Sequence, residues 1–206
     1  MPAEVSSASA SSGVRMQQHP SERAKLTNSQ LGMLVAIASF TMLFGTMLLS
    51  YLLIRARQNV WPPIGVEPLD KQITTLSTIV LLGSSIFVHH AIKALRNSNF
   101  AQFKKYWSIG TWSGLVFLAM QSVFVMQMWQ QGLRVESGIF ASISYTLVVF
   151  HALHVIVAWG WMLAVHLRSL AGAYTTPKAQ NPVLASWMWH FLDVVWVLTY
   201  VLLVWY

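Results

Sequence analysis

The last stretch of the chain, VLASWMWHFLDVVWVLTYVLLVWY from Val183 to Tyr206, contains no Lys, Arg or Glu and a single Asp. It exceeds the ~20 residues that an α-helix needs to cross a bilayer. Backbone N–H and C=O groups in hydrocarbon must be hydrogen-bonded within the spanning element, and a helix meets that demand by itself. The stretch therefore predicts a transmembrane helix.

Four further stretches have the same character. They run from about Leu31 to Ile54, Ile73 to Leu95, Tyr106 to Trp129 and Ile139 to Leu167. The 206 residues are 55% hydrophobic and 9% charged, whereas soluble domains are roughly 25% charged. We predict an all-α membrane protein, a five-helix transmembrane bundle over residues 30–206. Because the loops are short, consecutive helices are expected to be antiparallel neighbours.

The remaining segments are polar. Residues 1–29 form a serine-rich arm that is too polar to fold alone. They lack the pattern of a cleavable signal peptide, so the stretch from Leu31 is predicted to be the first span. The first external loop carries Trp61, Pro62 and Pro63, which predict a stiff turn beside an interfacial anchor.

The basic residues predict the orientation in the membrane. Nine lie on the side of the N-terminus and four on the opposite side: Arg15, Arg23, Lys25, Lys93, Arg96, Lys104, Lys105, Arg168 and Lys178 against Arg55, Arg57, Lys71 and Arg134. Because cytoplasmic loops are enriched in Lys and Arg, the N-terminus is predicted to be cytoplasmic and the C-terminus outside. The net charge of +7 then reflects topology, and no nucleic-acid partner is expected.

Small and aromatic residues indicate how the helices pack. Gly110 and Gly114 form a G-x-x-x-G pattern, which we interpret as a packing face within this chain rather than a dimerisation motif. Trp107, Trp129 and Trp189 are among several tryptophans near the ends of spans. That position predicts an aromatic belt at the membrane interface.

One carboxylate stands out within the spans. Asp193 is the only acidic residue in any of them, and an ionised Asp at mid-membrane costs at least ~2.5 kcal/mol. His190 lies one turn earlier on the same face and is predicted to pair with it. His151 and His154 repeat that spacing in the fourth span. These residues predict a polar layer between helices four and five.

Three interpretations of this layer are open. The two histidines facing His190 and Asp193 resemble the ligand pattern of metal sites in helical bundles. Intramembrane His and Asp also occur in proton relays. The third interpretation is a hydrogen-bonded seam that orients two helices, with about 0.6 kcal/mol per bond. Bundle metal sites usually contain several carboxylates and only Asp193 is present, so we favour the seam and predict no metal ligand, cofactor site or catalytic residue in this chain. The absence of cysteine excludes disulfides and thiolate chemistry.

The run Trp189-His190-Phe191-Leu192-Asp193-Val194-Val195-Trp196 is similar to the W-H-F-x-D-x-V-W signature of subunit III of the haem-copper terminal oxidases, in the short five-helix bacterial form. Phe150-His151-Ala152-Leu153-His154-Val155 resembles the family's F-H-G-x-H-V stretch, with Ala152 in place of Gly. The Trp61-Pro62-Pro63 turn and Ser84-Ser85 also fit. The resemblance runs from about Gly32 to Tyr206.

This resemblance implies an accessory subunit of an oxygen-reducing, proton-pumping complex in the bacterial inner (plasma) membrane. Such a subunit holds no haem and no copper, which are expected in its partners, the catalytic subunit I and subunit II. It binds structural phospholipid between its helices. Its polar layer and contacts with subunits or lipid would involve His151, His154, His190, Asp193, Trp189 and Trp196.

The electron donor, cytochrome c or quinol, stays open. The alternatives are an accessory subunit of a nitric oxide reductase and a freestanding membrane metalloprotein using the two histidine pairs and Asp193.

Two departures from the family pattern concern acids. Much of the family has a Glu where Phe40 follows Ser39, and a second Glu where Phe124 stands three residues after Gln121. Roles of those carboxylates in lipid contact or proton handling are therefore not expected in this chain.

Overall fold

A computed structural model describes residues 27–58, 71–130, 132, 136, 138–176 and 179–205. Over these ranges the chain is all-α and contains no strand. The helices are α1 (Asn28–Ala56), α2 (Lys71–Arg96), α3 (Phe100–Gln130), α4 (Ile139–Leu170) and α5 (Gln180–Tyr200), and α5 continues into a π-helical turn (Val201–Trp205). All five are long and apolar enough to cross a membrane. The predicted fold class and the five spans are confirmed.

The connection between α2 and α3 is shorter than the sequence suggested. The predicted loop from Arg96 to Lys105 shrinks to residues 97–99, and α3 begins at Phe100. Asn99 stabilises this early start, because its Oδ1 accepts a hydrogen bond from the backbone N–H of Gln102 at 3.1 Å. Ser98 makes the turn with φ 58°.

Helices α2 to α5 form a closed four-helix ring, in which α2 contacts α3, α3 contacts α4, α4 contacts α5 and α5 contacts α2. Helix α1 lies outside the ring, against α4 and α5. Thr27 donates to Gln180 at the start of the two helices (3.2 Å), and Tyr51 donates to the Leu202 carbonyl at their ends (3.0 Å), so α1 runs parallel to α5.

The placement of α1 corrects one prediction. Consecutive helices are neighbours in the ring, but the main contacts of α1 are with α4 and α5 rather than with α2. The connection from α1 to α2 is the longest between consecutive helices, at residues 57–70. A connection of that length allows α2 to lie apart from α1.

Tryptophans fill the centre of the ring. Trp107, Trp189 and Trp196 are all fully buried, and the indole N–H of Trp107 donates to the Met162 carbonyl at 3.0 Å. The predicted aromatic belt is therefore wrong for Trp107 and Trp189, whereas Trp129 is 51% exposed. Position near the end of a span does not determine which face of the helix a side chain occupies.

The G-x-x-x-G pattern packs within the chain, as predicted. A Cβ on Gly110 would lie 2.8 Å from Val88 Cγ2, and one on Gly114 would lie 2.8 Å from Trp189 Cη2. Ser84 also donates to the Gly110 carbonyl at 2.8 Å. Gly110 therefore allows α3 to approach α2 closely, and Gly114 leaves room for the ring of Trp189 in the centre of the bundle.

Candidate functional site

The eight residues from Trp189 to Trp196 divide between the core and the surface of α5. Trp189, Asp193 and Trp196 are buried, His190 is half-buried, and Val194 is 59% exposed. The helical period places the buried residues toward the ring centre and α2, because residues three, four and seven apart share one face. His190 therefore lies at the boundary between the buried face of α5 and its exposed face.

Asp193 and His190 both contact the side chain of a serine on α2. Ser85 donates a hydrogen bond to Asp193 Oδ2, and its Oγ lies 2.8 Å from His190 Nδ1. The direct distance from His190 Nδ1 to Asp193 Oδ2 is 3.7 Å, which is too long for a hydrogen bond. The predicted local pair thus exists as a three-residue cluster, Ser85, His190 and Asp193, with the serine as the bridge.

Trp196 contacts both α2 and α4. Its indole N–H donates to Thr78 Oγ1 on α2 at 3.0 Å. Its ring stacks on His151 of α4, with centroids 5.1 Å apart and 28° between the planes. Neither nitrogen of buried His151 has a hydrogen-bond partner among the described residues.

His154 faces α1 instead of α5. Its Nδ1–H donates to the Phe150 carbonyl one turn earlier, at 2.6 Å. Its ring meets Phe40 and Phe44 of α1 edge-on, with centroids 4.8 and 5.2 Å apart. The contacts of His154 are therefore aromatic, apart from the bond to its own helix.

The four polar residues do not form one layer between α4 and α5. His190 and Asp193 turn toward α2, and His154 turns toward α1. Only His151 contacts α5, through the face of Trp196. Among the described residues, no group of three His, Cys, Asp or Glu side chains lies close enough to hold a metal ion.

Two cavities open between the helices. One of about 390 Å³ lies between α1, α4 and α5 and is almost wholly apolar, with Phe40, His154 and Trp161 in its wall. The other, of about 340 Å³, lies between α3 and α4 and includes Gln121 and Tyr145. Phe124 lies in neither wall, because it is buried in a small cluster with Met128, Phe140, Ala141 and Val148.

Sequence reasoning missed the partners that complete this geometry. Ser85, Thr78 and Phe44 supply the contacts of Asp193, Trp196 and the two histidines. The available signal was the short run of hydroxyl residues in an apolar span, at Ser77-Thr78 and Ser84-Ser85. The predicted turn at Trp61, Pro62 and Pro63 lies outside the described residues, as does most of the predicted arm.

A family model described as cytochrome c oxidase subunit III matches residues 16–206. The chain belongs to the cytochrome c oxidase subunit III family. One relative in this family, cytochrome c oxidase subunit 3 of Thermostichus vulcanus, is 32% identical over 187 residues, which are 90% of this chain and 88% of the relative. Another, cytochrome c oxidase subunit 3 of Synechocystis, is 30% identical over 83% of this chain and 72% of its own length. The subunit 3 of Tachyglossus aculeatus aculeatus is 31% identical over 71% of this chain and 55% of its own length.

Membership in the subunit III family confirms the family that the sequence resembles. The match includes all five helices and begins within the polar arm. The residues that carried the resemblance are also those that link α5 to α2 and α4, through Asp193 and Trp196. The stretch from Trp189 to Trp196 thus provides several contacts between the helices of this chain.

Proposed function

We propose that this chain is the accessory subunit III of a haem-copper terminal oxidase, and that it stabilises the catalytic subunit I without carrying a catalytic centre of its own. The observation that carries the proposal is the match to the subunit III family over residues 16–206. Subunit II is the second expected protein partner, and haem and copper belong to these partners. Within the complex, the chain supports the reduction of oxygen to water and the coupled pumping of protons.

The side-chain contacts support a scaffold role. The polar groups of the α5 signature are used in bonds and stacking between helices, as at Ser85 with Asp193 and at Thr78 with Trp196. His151 and His154 lie against aromatic rings. This is the chemistry of helix association in a membrane, where packing and a few interhelical hydrogen bonds replace the hydrophobic effect.

Purification of the tagged chain from its own membranes in mild detergent tests this function. We expect haem-containing subunits to co-purify and the isolated complex to show a haem difference spectrum. We also expect complexes from cells that lack the chain to retain their haem content per catalytic subunit and to lose activity sooner during turnover. A chain that purifies without haem, or a complex that loses its haem centres when the chain is absent, would contradict the proposal.

We further propose the orientation that the basic residues predict, with a cytoplasmic N-terminus and an external C-terminus in the inner membrane of a bacterium. Lys93, Arg96 and Arg168 lie at or near the helix ends on the predicted inner side, where anionic lipid and the membrane potential favour positive charge. Reporter fusions at the two termini test this proposal. Activity of a periplasm-dependent reporter at the N-terminus would exclude this orientation.

The apolar cavity between α1, α4 and α5 is the proposed place for structural lipid. Its volume of about 390 Å³ and its apolar wall suit part of an acyl chain. Ala36 lines this cavity, whereas Ala38 is exposed on another face of α1. We expect Ala36→Phe to reduce the lipid retained in native mass spectra and Ala38→Phe to leave it unchanged. Equal retention in both variants would place the lipid elsewhere.

A further inference from the structure

A further cavity, between α1 and α4, is lined by hydroxyl groups. It has a volume of about 280 Å³, and its wall contains two hydroxyl residues from each helix, Thr46 and Ser50 on α1 and Ser142 and Thr146 on α4. The rest of its wall is apolar. The two residues of each pair are four apart, so each helix turns one polar face toward this hydroxyl cavity. The cavity between α1, α4 and α5 has no such pairs.

Hydrogen bonds within each helix determine what these hydroxyl groups can still bind. Thr46 donates to the Leu43 carbonyl at 2.8 Å, and Ser50 donates to the Thr46 carbonyl at 2.7 Å. On α4, Thr146 donates to the Ser142 carbonyl at 2.7 Å. A hydroxyl group has one hydrogen and two lone pairs, so these three oxygens remain acceptors after their hydrogen is used. The hydroxyl cavity therefore suits an occupant that donates hydrogen bonds.

The hydroxyl cavity lies toward the end of the bundle that the proposed orientation places outside. At a rise of about 1.5 Å per residue, Thr46 lies about 15 Å before the end of α1 at Ala56, and Thr146 lies about 10 Å after the start of α4 at Ile139. Helices of 29 and 32 residues are longer than the ~30 Å hydrocarbon core, so their ends extend into the interface. The cavity thus begins near the interface and reaches into the outer part of the hydrocarbon.

One face of α1 connects the hydroxyl cavity to the exposed end of the helix. A smaller cavity of about 240 Å³ is lined by Ser50, Leu53, Ile54 and Arg57, and Ser50 belongs to the walls of both cavities. These residues lie four, seven, eight and eleven positions after Thr46, a spacing that places them on one face of the helix. Arg57 is exposed at the C-terminal end of α1. This face provides a route from the interface to the hydroxyl cavity.

We propose that the hydroxyl cavity binds water, which enters from the outer surface along this face of α1 and bridges α1 to α4. Water fits because each molecule donates two hydrogen bonds, and ordered water occupies cavities that have room for it and several polar partners. An acyl chain would fill the space but leave the hydroxyl oxygens without donors. The inference uses the proposed orientation, and it does not depend on the protein partners of the chain.

Cysteine accessibility in native membranes tests the route. The chain contains no cysteine, so one substitution introduces its only thiol, and the thiolate that reacts forms where the thiol meets water. The variants are Thr46→Cys and Thr146→Cys in the cavity, Arg57→Cys as the exposed reference, and Leu49→Cys as the control for depth. Leu49 is 56% exposed and lies in the wall of neither cavity. With a charged, membrane-impermeant thiol reagent outside, we expect labelling of the first three variants and none of Leu49→Cys.

The other outcomes of this labelling are distinct. Equal labelling of Thr46→Cys and Leu49→Cys would overturn the inference, because the reagent then needs no local route. Labelling of Arg57→Cys alone, or of the cavity variants only after lipid is extracted with detergent, would assign the cavity to another occupant and also overturn it. Labelling from the inner side only would keep the water and overturn the proposed orientation. Purification of the chain without haem would overturn the proposed function and leave this inference standing.

Valine variants test the role of the hydroxyl oxygens, because valine keeps the shape of threonine and removes the acceptor. Combining Thr46→Val with Thr146→Val should lower the labelling rate of Ser142→Cys by about tenfold, the effect of two hydrogen bonds in a membrane. Thr41→Val is the matched control, since Thr41 also donates to its own helix, at 2.8 Å to the Ile37 carbonyl, and lies outside the cavity wall. It should leave the rate unchanged. An unchanged rate with both valines in the cavity would exclude the hydroxyl oxygens as the groups that hold the water and overturn the inference.

Discussion

The imidazole of His151 lies nearly parallel to the indole of Trp196, with ring centroids 5.1 Å apart and 28° between the planes. Both side chains are fully buried, and the two rings join α4 to α5. Because both nitrogens of His151 lack a partner in the described residues, its ring acts as a flat packing surface. A metal-ligating histidine usually donates its second ring nitrogen to a hydrogen bond, and His151 makes no such bond among the described residues.

We therefore predict that His151→Phe leaves the stability of the chain unchanged or raises it. Phenylalanine preserves the stacked ring and removes two buried polar atoms that have no partner, each of which costs about 1 to 3 kcal/mol. His151→Ala should lower the free energy of unfolding by about 3 kcal/mol, because it leaves a cavity against Trp196. Thermal unfolding of the isolated chain in detergent measures both. Equal losses in the two variants would show that the imidazole nitrogens have partners.

For the Ser85 bridge, we predict that Ser85→Ala destabilises the chain more than Asp193→Asn does. Removing the serine leaves a buried carboxylate without its donor, at a cost of about 2 kcal/mol or more. Asn at position 193 keeps an oxygen that accepts from Ser85. Combining Ser85→Ala with Asp193→Leu should cost less than the sum of the two single changes. Strict additivity in this double-mutant cycle would show that the two residues are not coupled.

In the complex, Asp193→Leu is expected to reduce assembly with subunit I more than it reduces oxygen turnover per intact complex. The reason is that Asp193 bonds to α2 and belongs to the packing of the bundle. Subunit ratios and turnover per haem, measured on the same preparation, separate the two effects. Normal assembly with a large loss of turnover per haem would contradict the scaffold role.

The five helices could be predicted because the length of an apolar run is a local property. The faces of those helices could not, because lipid-facing and core-facing surfaces are both apolar in a membrane protein. Trp107 and Trp129 illustrate the point: they lie near the two ends of the same predicted span, yet the first is fully buried and the second is 51% exposed. The sequence also did not indicate which helices α1 contacts, because the long connection between α1 and α2 allows several placements of α1.

The sequence indicated which residues belong to the candidate site, but not which of them contact one another. Asp193 was conspicuous as the sole acid in a span, and the spacing to His190 correctly indicated that the two share a face. The choice of α2 over α4 depended on Ser85. The hydroxyl residues of the second span are visible in the sequence, but the sequence does not show which of them contacts α5. Both histidines of α4 were predicted to face α5, because their spacing matches that of His190 and Asp193. His154 instead contacts the aromatic rings of Phe40 and Phe44 on α1.

At the G-x-x-x-G pattern, we predict that Gly114→Ala destabilises the isolated chain and that Gly160→Ala does not. The added methyl at position 114 would lie 2.8 Å from Trp189 Cη2, whereas nothing lies within 4 Å of one at position 160. Trp189 is fully buried and cannot move aside without disturbing the core. The expected loss is about 1 to 3 kcal/mol for Gly114→Ala, and Gly160→Ala should gain up to about 1 kcal/mol from helix propensity. Thermal unfolding compares them, and equal melting temperatures would contradict the close contact.

Phe40 and Phe124, the two positions where the family resemblance led us to expect a glutamate, should respond differently when that acid is introduced. Phe40 is half-buried at the wall of the α1/α4/α5 cavity, and its ring centroid lies 4.8 Å from that of His154. Phe124 is 2% exposed in an aromatic and aliphatic cluster. Gln121, one turn before it, offers an amide N–H but no positive charge. We predict that Phe40→Glu is tolerated, because His154 Nε2 takes part in no hydrogen bond within the described residues and can accept one from the carboxyl group.

Phe124→Glu, by contrast, should reduce the folded chain recovered from membranes severely, since Phe124 is buried among apolar side chains and an unpaired buried charge costs several kcal/mol. Phe40→Gln and Phe124→Gln keep the length of the side chain without its charge, so they serve as matched controls for volume. Adding His154→Leu to Phe40→Glu should remove the tolerance, because the carboxyl group then has no partner. Recovery and melting temperature in detergent measure all five variants. Equal damage from glutamate at the two positions would mean that the contact between α1 and His154 does not provide a site for an acid.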